Sequence, residues 1–152
     1  MKLLLISVLF CLCSCETNRI IYYRYGGITI TRIDSVAKSL FYYGSYNKNH
    51  LGNINPNIEV TYSGFNNGMD MFIVFHKNGT VEVIPNGIGD VEQTEKKDTV
   101  FYVSNHENHA LDSILKSYLS SNLGYIRVSD ALNIEDKFKR EYHSRVQVIY
   151  SK

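Results

Sequence analysis

The amino-acid sequence predicts an α+β domain, in which a mainly antiparallel β-sheet carries one strong amphipathic helix and a second, C-terminal helix on one face. Three observations support this prediction. Two segments combine β-prone arms with hairpin turn residues, one late apolar run has helical spacing, and most of the strands precede that run. Hairpins join antiparallel neighbours, so we expect the sheet to be mainly antiparallel. We expect the helices to cover one face of this sheet.

The first hairpin is predicted in residues 20–33, IIYYRYGGITITRI, where Gly26-Gly27 suits the primed turns that connect two strands. A two-residue turn places Tyr23 opposite Ile30 and Tyr25 opposite Ile28. One face then holds Ile21, Tyr23, Tyr25, Ile28 and Ile30. One long strand with a glycine bulge is the alternative interpretation.

The segment between the two hairpins is predicted to contain several short elements. Residues 35–40, SVAKSL, are predicted to form one or two helical turns, and the aromatic residues 41–46 are predicted to form a strand. Residues 47–57 are rich in Asn, Gly and Pro and predict a loop. Residues 58–62 alternate as a strand does.

The second hairpin is predicted in residues 70–84, DMFIVFHKNGTVEVI, around the strong turn signal Asn78-Gly79. With a two-residue turn, one face holds Phe72, Val74, His76, Val81 and Val83. The other face holds Ile73, Phe75 and Ile84 beside Lys77, Thr80 and Glu82. Because both faces are partly apolar, we expect a central position in the sheet.

A helix is predicted after the next strand. Residues 86–97 predict a mobile polar loop and residues 98–103 a strand, and Ser104 with Glu107 forms a capping box. The apolar stripe of the helix is Ala110, Leu111, Ile114, Leu115, Tyr118 and Leu119. Gly124 is expected to end this helix as a left-handed cap.

The C-terminal part is predicted to contain two strands and the second helix. Residues 125–128 predict a short strand, and residues 129–142 predict a helix, or a turn followed by a helix. Residues 144–150, SRVQVIY, predict a closing strand. No internal repeat or long linker divides the chain, so residues 20–152 are expected to form a single globular domain.

The N-terminal segment indicates export. The apolar run at residues 3–12 follows Lys2 and is about half as long as the 20 residues or so that cross a membrane. A basic residue, a short apolar run and then small residues are typical of a secretory signal peptide. Leu12-Cys13-Ser14-Cys15 resembles the lipobox of bacterial lipoproteins.

The lipoprotein resemblance implies that residues 1–14 are removed and that Cys15 carries a diacylglycerol on its sulfur. Two or more acyl chains hold a protein durably at a bilayer, whereas one holds it marginally. Residues 15–19 would then be the lipidated N-terminus and a short tether. The resemblance implies a bacterial cell-envelope location, and Glu16, where inner-membrane lipoproteins often have Asp, favours the outer membrane.

Composition excludes several kinds of partner and site. Removal of Lys2 leaves equal numbers of basic and acidic residues, so no basic surplus is available to bind nucleic acid. All three cysteines lie at positions 11, 13 and 15, so the mature domain has no disulfide and no cysteine metal cluster. No cofactor is predicted.

The histidines and carboxylates that could be catalytic are more simply interpreted as structural or solvent-exposed groups. His106 and His109 are spaced i, i+3 rather than i, i+4 as in zinc proteases, so we expect a solvated polar face and no metal site. His76 is expected to be a hydrogen-bonded sheet residue. The carboxylates near turns are Asp70, Glu82, Asp90, Glu92 and Glu95. No nucleophile elbow or phosphate loop is present in the sequence, and no catalytic residue is predicted.

The candidate binding residues are tyrosines, because Tyr combines a large apolar ring with a polar tip. The set is Tyr22, Tyr42, Tyr43 and Tyr46, which could form a platform for a sugar or a partner protein. The leading hypothesis is therefore a non-enzymatic, membrane-anchored lipoprotein whose partners are the lipid bilayer and an envelope protein. The alternatives are a periplasmic immunity protein that binds a toxin, and an envelope hydrolase that uses turn carboxylates with His76.

Overall fold

A computed structural model describes residues 19–35, 38–47, 54–61, 69–88, 90–94, 98–104, 113, 117, 124–129 and 143–151. The described residues contain eleven strands. They are β1 Arg19–Tyr25, β2 Ile28–Asp34, β3 Lys38–Tyr43, β4 Ile58–Thr61, β5 Asp70–Phe75, β6 Val81–Ile88, β7 Asp90–Gln93, β8 Phe101–Val103, β9 Gly124–Ser129, β10 His143–Ser144 and β11 Gln147–Tyr150.

The strands form two sheets that pack face to face. A six-stranded sheet has the order β11-β1-β2-β3-β4-β7, and a five-stranded sheet has the order β10-β9-β5-β6-β8. All neighbouring pairs are antiparallel except β6 and β8, which are parallel. Ile30 and Phe41 of one sheet share a core with Ile73 and Phe75 of the other, so the described part is a β-sandwich.

The predicted α+β class is wrong for the described part of the chain. The inner face of the six-stranded sheet is covered by the second sheet and not by helices, because the inward residues of both hairpins form apolar faces that bury each other. Of the helix predicted after Ser104, only Ser113 and Ser117 are among the described residues, and both are helical. Gly124 begins β9 and does not cap a helix. Residues 130–142 of the second predicted helix lie outside the described residues.

The first hairpin is confirmed. Tyr25 pairs with Ile28 and Tyr23 with Ile30, as a two-residue turn requires. Gly26 and Gly27 have φ of 55° and 87°, conformations that glycine adopts without steric cost. The two strands are separate neighbours, so the alternative of one bulged strand is wrong.

The second hairpin is confirmed, but its predicted register is wrong by one residue. Phe75 pairs with Val81, and the backbone N–H of His76 donates to the carbonyl of Thr80. The loop therefore has three residues, and the valines of β6 face the core together with Phe75. β5 is buried along its whole length and lies at the centre of its sheet, as predicted.

Two segments predicted to be helical or irregular are strands. β3 begins at Lys38, inside the predicted helical turns, because Ser39 and Phe41 continue one alternating inward face. β6 extends to Ile88, and β7 lies inside the predicted polar loop of residues 86–97. β7 pairs with β4 at the edge of the six-stranded sheet, where one face remains solvated and tolerates polar residues.

Candidate functional site

An open cleft of about 500 Å³ lies at the end of the six-stranded sheet where β1 turns into β2. It is lined by Arg24, Tyr25, Gly26, Gly27, Ile28, Thr29, Arg145 and Gln147. These residues come from three neighbouring strands and from the chain segment that enters β11. The cleft is therefore built at one end of the sandwich.

Strand pairing places the polar side chains of the cleft side by side. Arg24 of β1 pairs with Gln147 of β11 on one side and with Thr29 of β2 on the other. Directly paired residues project from the same face, about 5 Å apart. A guanidinium, a carboxamide and a hydroxyl thus form a row beside the turn.

Arg145 reaches the cleft from the corner where the chain leaves β10 in one sheet and enters β11 in the other. Its φ is 57°, in the left-handed region, and it is the one described non-glycine residue with positive φ. Such a conformation costs an ordinary residue roughly 1–2 kcal/mol. The adjacent Val146 is buried in the core and fixes the corner.

The cleft is positively charged. Among the described residues that line it, none is acidic. Neither Arg24 nor Arg145 makes an ion pair with another described residue. The guanidinium carbon of Arg24 lies 5.8 Å from the ring centroid of Tyr22, and both arginines are exposed. By contrast, Arg127 makes a bidentate ion pair with Asp70, so its guanidinium is less available to a ligand than those of Arg24 and Arg145.

Three of the four predicted binding tyrosines come together on the outer face of the six-stranded sheet. The Tyr22 hydroxyl donates to the carbonyl of Tyr46 over 2.9 Å, and the rings of Tyr42 and Tyr46 lie 5.6 Å apart. Tyr42 is only 4 % exposed. Burial, followed by the charge of Glu59, raises its pKa. Tyr42 therefore supports this face and has little surface to offer a ligand.

Tyr43 is separated from the other three tyrosines. Its ring packs against the core and lies 6.4 Å from that of Phe101, and its hydroxyl donates to the carbonyl of Gly79 over 3.0 Å. Alternation along β3 explains the separation, since consecutive residues project from opposite faces. The predicted four-tyrosine platform does not exist as one surface.

His76 and Glu82 form a partly buried polar cluster beside the second hairpin. His76 is hydrogen-bonded, as predicted, but its partner Glu82 was predicted to lie on the opposite face of the hairpin. The Nε2 atom of His76 lies 2.9 Å from Oε2 of Glu82, and the Ser104 hydroxyl donates to Oε1 of the same carboxylate. In a catalytic triad the imidazole stands between hydroxyl and acid, but here the acid stands between the other two groups. The arrangement stabilises the Glu82 carboxylate. Burial, followed by the charge of Glu82, raises the pKa of the neighbouring Tyr102.

Asp70 belongs to a second buried cluster. It accepts two hydrogen bonds from Arg127, over 2.8 and 2.6 Å, and one from the side-chain amide of Asn86. Asp90 and Glu92 lie exposed on β7 of the six-stranded sheet, whereas Asp70 lies buried in the five-stranded sheet. Glu95, His106, His109 and the lipidation residue Cys15 lie outside the described residues.

Neither a metal centre nor a membrane-spanning helix is found within the described ranges. No group of three or more histidine, cysteine, aspartate or glutamate residues there is arranged to hold a metal ion. No helix among those residues combines the length and the apolarity needed to cross a bilayer.

The sequence did not reveal the cleft, because its two arginines come from opposite ends of the chain and meet only through the pairing of β1 with β11. The Gly26-Gly27 turn beside Arg24 was the one local signal available.

Comparison with known proteins adds no family assignment: no family model, no curated protein and no solved structure matches this chain.

Proposed function

We propose that this chain is a non-enzymatic binding protein of the bacterial cell envelope, anchored in a membrane through acylated Cys15 and binding its ligand in the cleft beside the β1–β2 turn. The observation that carries the proposal is the convergence of Arg24 and Arg145 on one cleft, where neither has an acidic partner among the residues that the structure describes. Arginines that are not neutralised within the protein are available to a ligand.

The position of β1 makes anchoring and binding compatible. β1 begins at Arg19, four residues after Cys15, and ends at Tyr25 in the cleft wall. At about 3.3 Å per residue, the two ends of this strand are roughly 20 Å apart. The cleft is therefore at the end of β1 opposite the anchored one, and lipid attachment leaves it accessible.

The anchor supports a cell-envelope role, and Glu16 beside Cys15 supports outer-membrane sorting. A short tether keeps the domain within reach of its membrane, since five extended residues span less than about 20 Å. We expect the protein to bind a ligand from the aqueous compartment while it stays anchored.

Metabolic labelling with radioactive palmitate tests the anchor. The wild-type protein and a Cys13→Ala variant should both take up label and sediment with membranes, because position 13 tolerates a small residue. A Cys15→Ala variant should take up no label. Cys13→Ala is a matched control, since it removes a thiol from the same segment. An unlabelled wild type, or a labelled Cys15→Ala variant, would contradict the proposed anchor.

A further inference from the structure

We infer that the cleft binds a small anionic molecule through an oxyanion group, either a carboxylate or a phosphate. This inference rests on the proposed binding function and names the ligand class of the same site.

Charge and donor geometry favour an oxyanion. A guanidinium presents its N–H groups in a fixed planar fork that matches two oxygens of a carboxylate or phosphate. Arg24 and Arg145 bring two such groups to the cleft rim. Gln147 and Thr29, on the strands either side of Arg24, add a carboxamide and a hydroxyl that can bind the remaining oxygens.

The glycines of the turn leave the cleft open. A Cβ built on Gly26 or on Gly27 meets no atom within 4 Å, so no neighbouring group fills the space beside the backbone. A ligand can approach the turn closely there. Glycine is needed in this turn for its positive φ, and the same residues keep one wall of the cleft free of side chains.

The backbone at Arg145 is a second observation that points to binding. A left-handed corner is least costly with glycine, or with asparagine, which tolerates this conformation. The chain has arginine at this corner, and its side chain is exposed at the cleft. Residues held in unfavourable backbone conformations are concentrated at ligand sites.

The size of the cleft favours a small ligand over a protein partner. Sites for small molecules usually have volumes of about 300–1,000 Å³, and the cleft volume of about 500 Å³ lies in that range. A stable protein interface needs roughly 800 Å² from each partner. The cleft lies at the end of β1 opposite Arg19, where the tether joins the domain, and this position also disfavours a headgroup of the anchoring membrane.

Calorimetric titration of the mature lipidated protein in non-ionic detergent tests the inference, with inorganic phosphate, citrate and uncharged glucose as probes. We expect saturable binding of phosphate, citrate or both, and none of glucose. Preference between the two anions distinguishes a phosphorylated ligand from a carboxylated one. Failure of both anions to bind would overturn the inference.

Three variants locate the binding. Arg24→Gln and Arg145→Asn should each weaken binding by about tenfold or more, because each removes one charged donor group. Arg19→Gln is the matched control, since Arg19 lies at the other end of β1 and stacks on Tyr150. Equal binding by Arg24→Gln and wild type would place the anion elsewhere and contradict the assignment.

Thermal unfolding separates a binding role of Arg145 from a structural one. Because asparagine tolerates the left-handed corner, Arg145→Asn should keep or raise the melting temperature while it weakens binding. A lowered melting temperature together with unchanged binding would show that Arg145 serves the fold. Arg24-dependent binding of the Cys15→Ala variant to phosphatidylglycerol vesicles would instead identify a lipid headgroup and overturn the small-ligand assignment.

The two proposals fail independently. The Cys15→Ala variant retains the cleft, so a negative labelling result leaves the titrations interpretable. Absence of anion binding in a labelled, membrane-bound wild type would remove the ligand class and leave the anchor in place.

Discussion

Gly124 shows how a single residue can join the two sheets. It begins β9 opposite Phe75, and a Cβ built on it would lie 2.4 Å from Cδ2 of Tyr25 in the facing sheet. The Tyr25 ring therefore lies directly on the Gly124 backbone, with its centroid 5.7 Å from that of Phe75. An aromatic ring that covers a strand glycine restores the contacts that the missing side chain would have made.

Gly124→Ala should destabilise the protein by about 1–3 kcal/mol, because the added methyl group overpacks this contact. The free energy of unfolding, measured by urea denaturation, checks the prediction. In a Tyr25→Ala background the same substitution should cost clearly less, since the ring that it strikes is gone. Equal costs in the two backgrounds would show that contact with Tyr25 is not the cause.

The sequence predicted the inward residues of the first hairpin better than it predicted the candidate site. It placed Ile21, Tyr23 and Ile30 on the inward face of the first hairpin, and all three are in the core. It grouped Tyr43 with Tyr42, although alternation along one strand separates them. The pairing of Arg24 with Gln147 joins the two ends of the chain, and no local pattern predicts it.

At the element scale, the two hairpins differ in how completely the turn residues determine the register. Gly26-Gly27 occupies a two-residue turn, as predicted. Asn78-Gly79 occurs in a three-residue loop, where the Asn78 side chain accepts a hydrogen bond from the Thr80 backbone N–H and Gly79 has φ of 90°. Asn-Gly is compatible with both loops, and one extra residue moves Glu82 to the face that holds His76.

Deletion of Lys77 should be tolerated. It would leave Asn78-Gly79 as a two-residue turn and keep His76 opposite Thr80, so the core register is retained. Deletion of Gly79 is the matched control: it shortens the loop equally but leaves Lys77-Asn78 in a turn that requires positive φ. We expect the second deletion to lower the free energy of unfolding by about 1–2 kcal/mol more than the first. Urea denaturation measures both, and equal stabilities would contradict this account of the turn.

At the scale of the whole molecule, the sequence predicted many of the strands but not how the inner face of the first sheet is covered. An alternating strand indicates that one face needs an apolar partner, and it does not indicate whether a helix or a second sheet supplies it. That choice depends on pairings such as β5 with β9, which join distant segments. The predicted helix favoured a helical cover for the inner face, whereas in the structure a second sheet covers it.

Side-chain hydrogen bonds connect the two sheets along the side where β7 approaches β8. The side-chain amide of Gln93 donates to the carbonyl of Asp98 over 2.8 Å, and its oxygen accepts from the backbone N–H of Val103 over 3.0 Å. Asn57, which leads into β4, donates to the Asp98 carboxylate over 2.7 Å. On the opposite side the chain itself crosses between sheets, with Val146 buried at the crossing. The sandwich is therefore held on both sides.

Substitution of Gln93 tests how much these links stabilise the sandwich and whether the shared core alone keeps the two sheets one cooperative unit. Gln93→Met keeps the length of the side chain but leaves the Val103 N–H and the Asp98 carbonyl without this partner, so it should cost about 1–3 kcal/mol. Glu92→Met, at the exposed neighbouring position, should change stability little. Because the sheets share one core, both variants should still unfold in a single transition when followed by tyrosine fluorescence and by circular dichroism. Two separated transitions in Gln93→Met would show that the sheets are independent units joined only at this side.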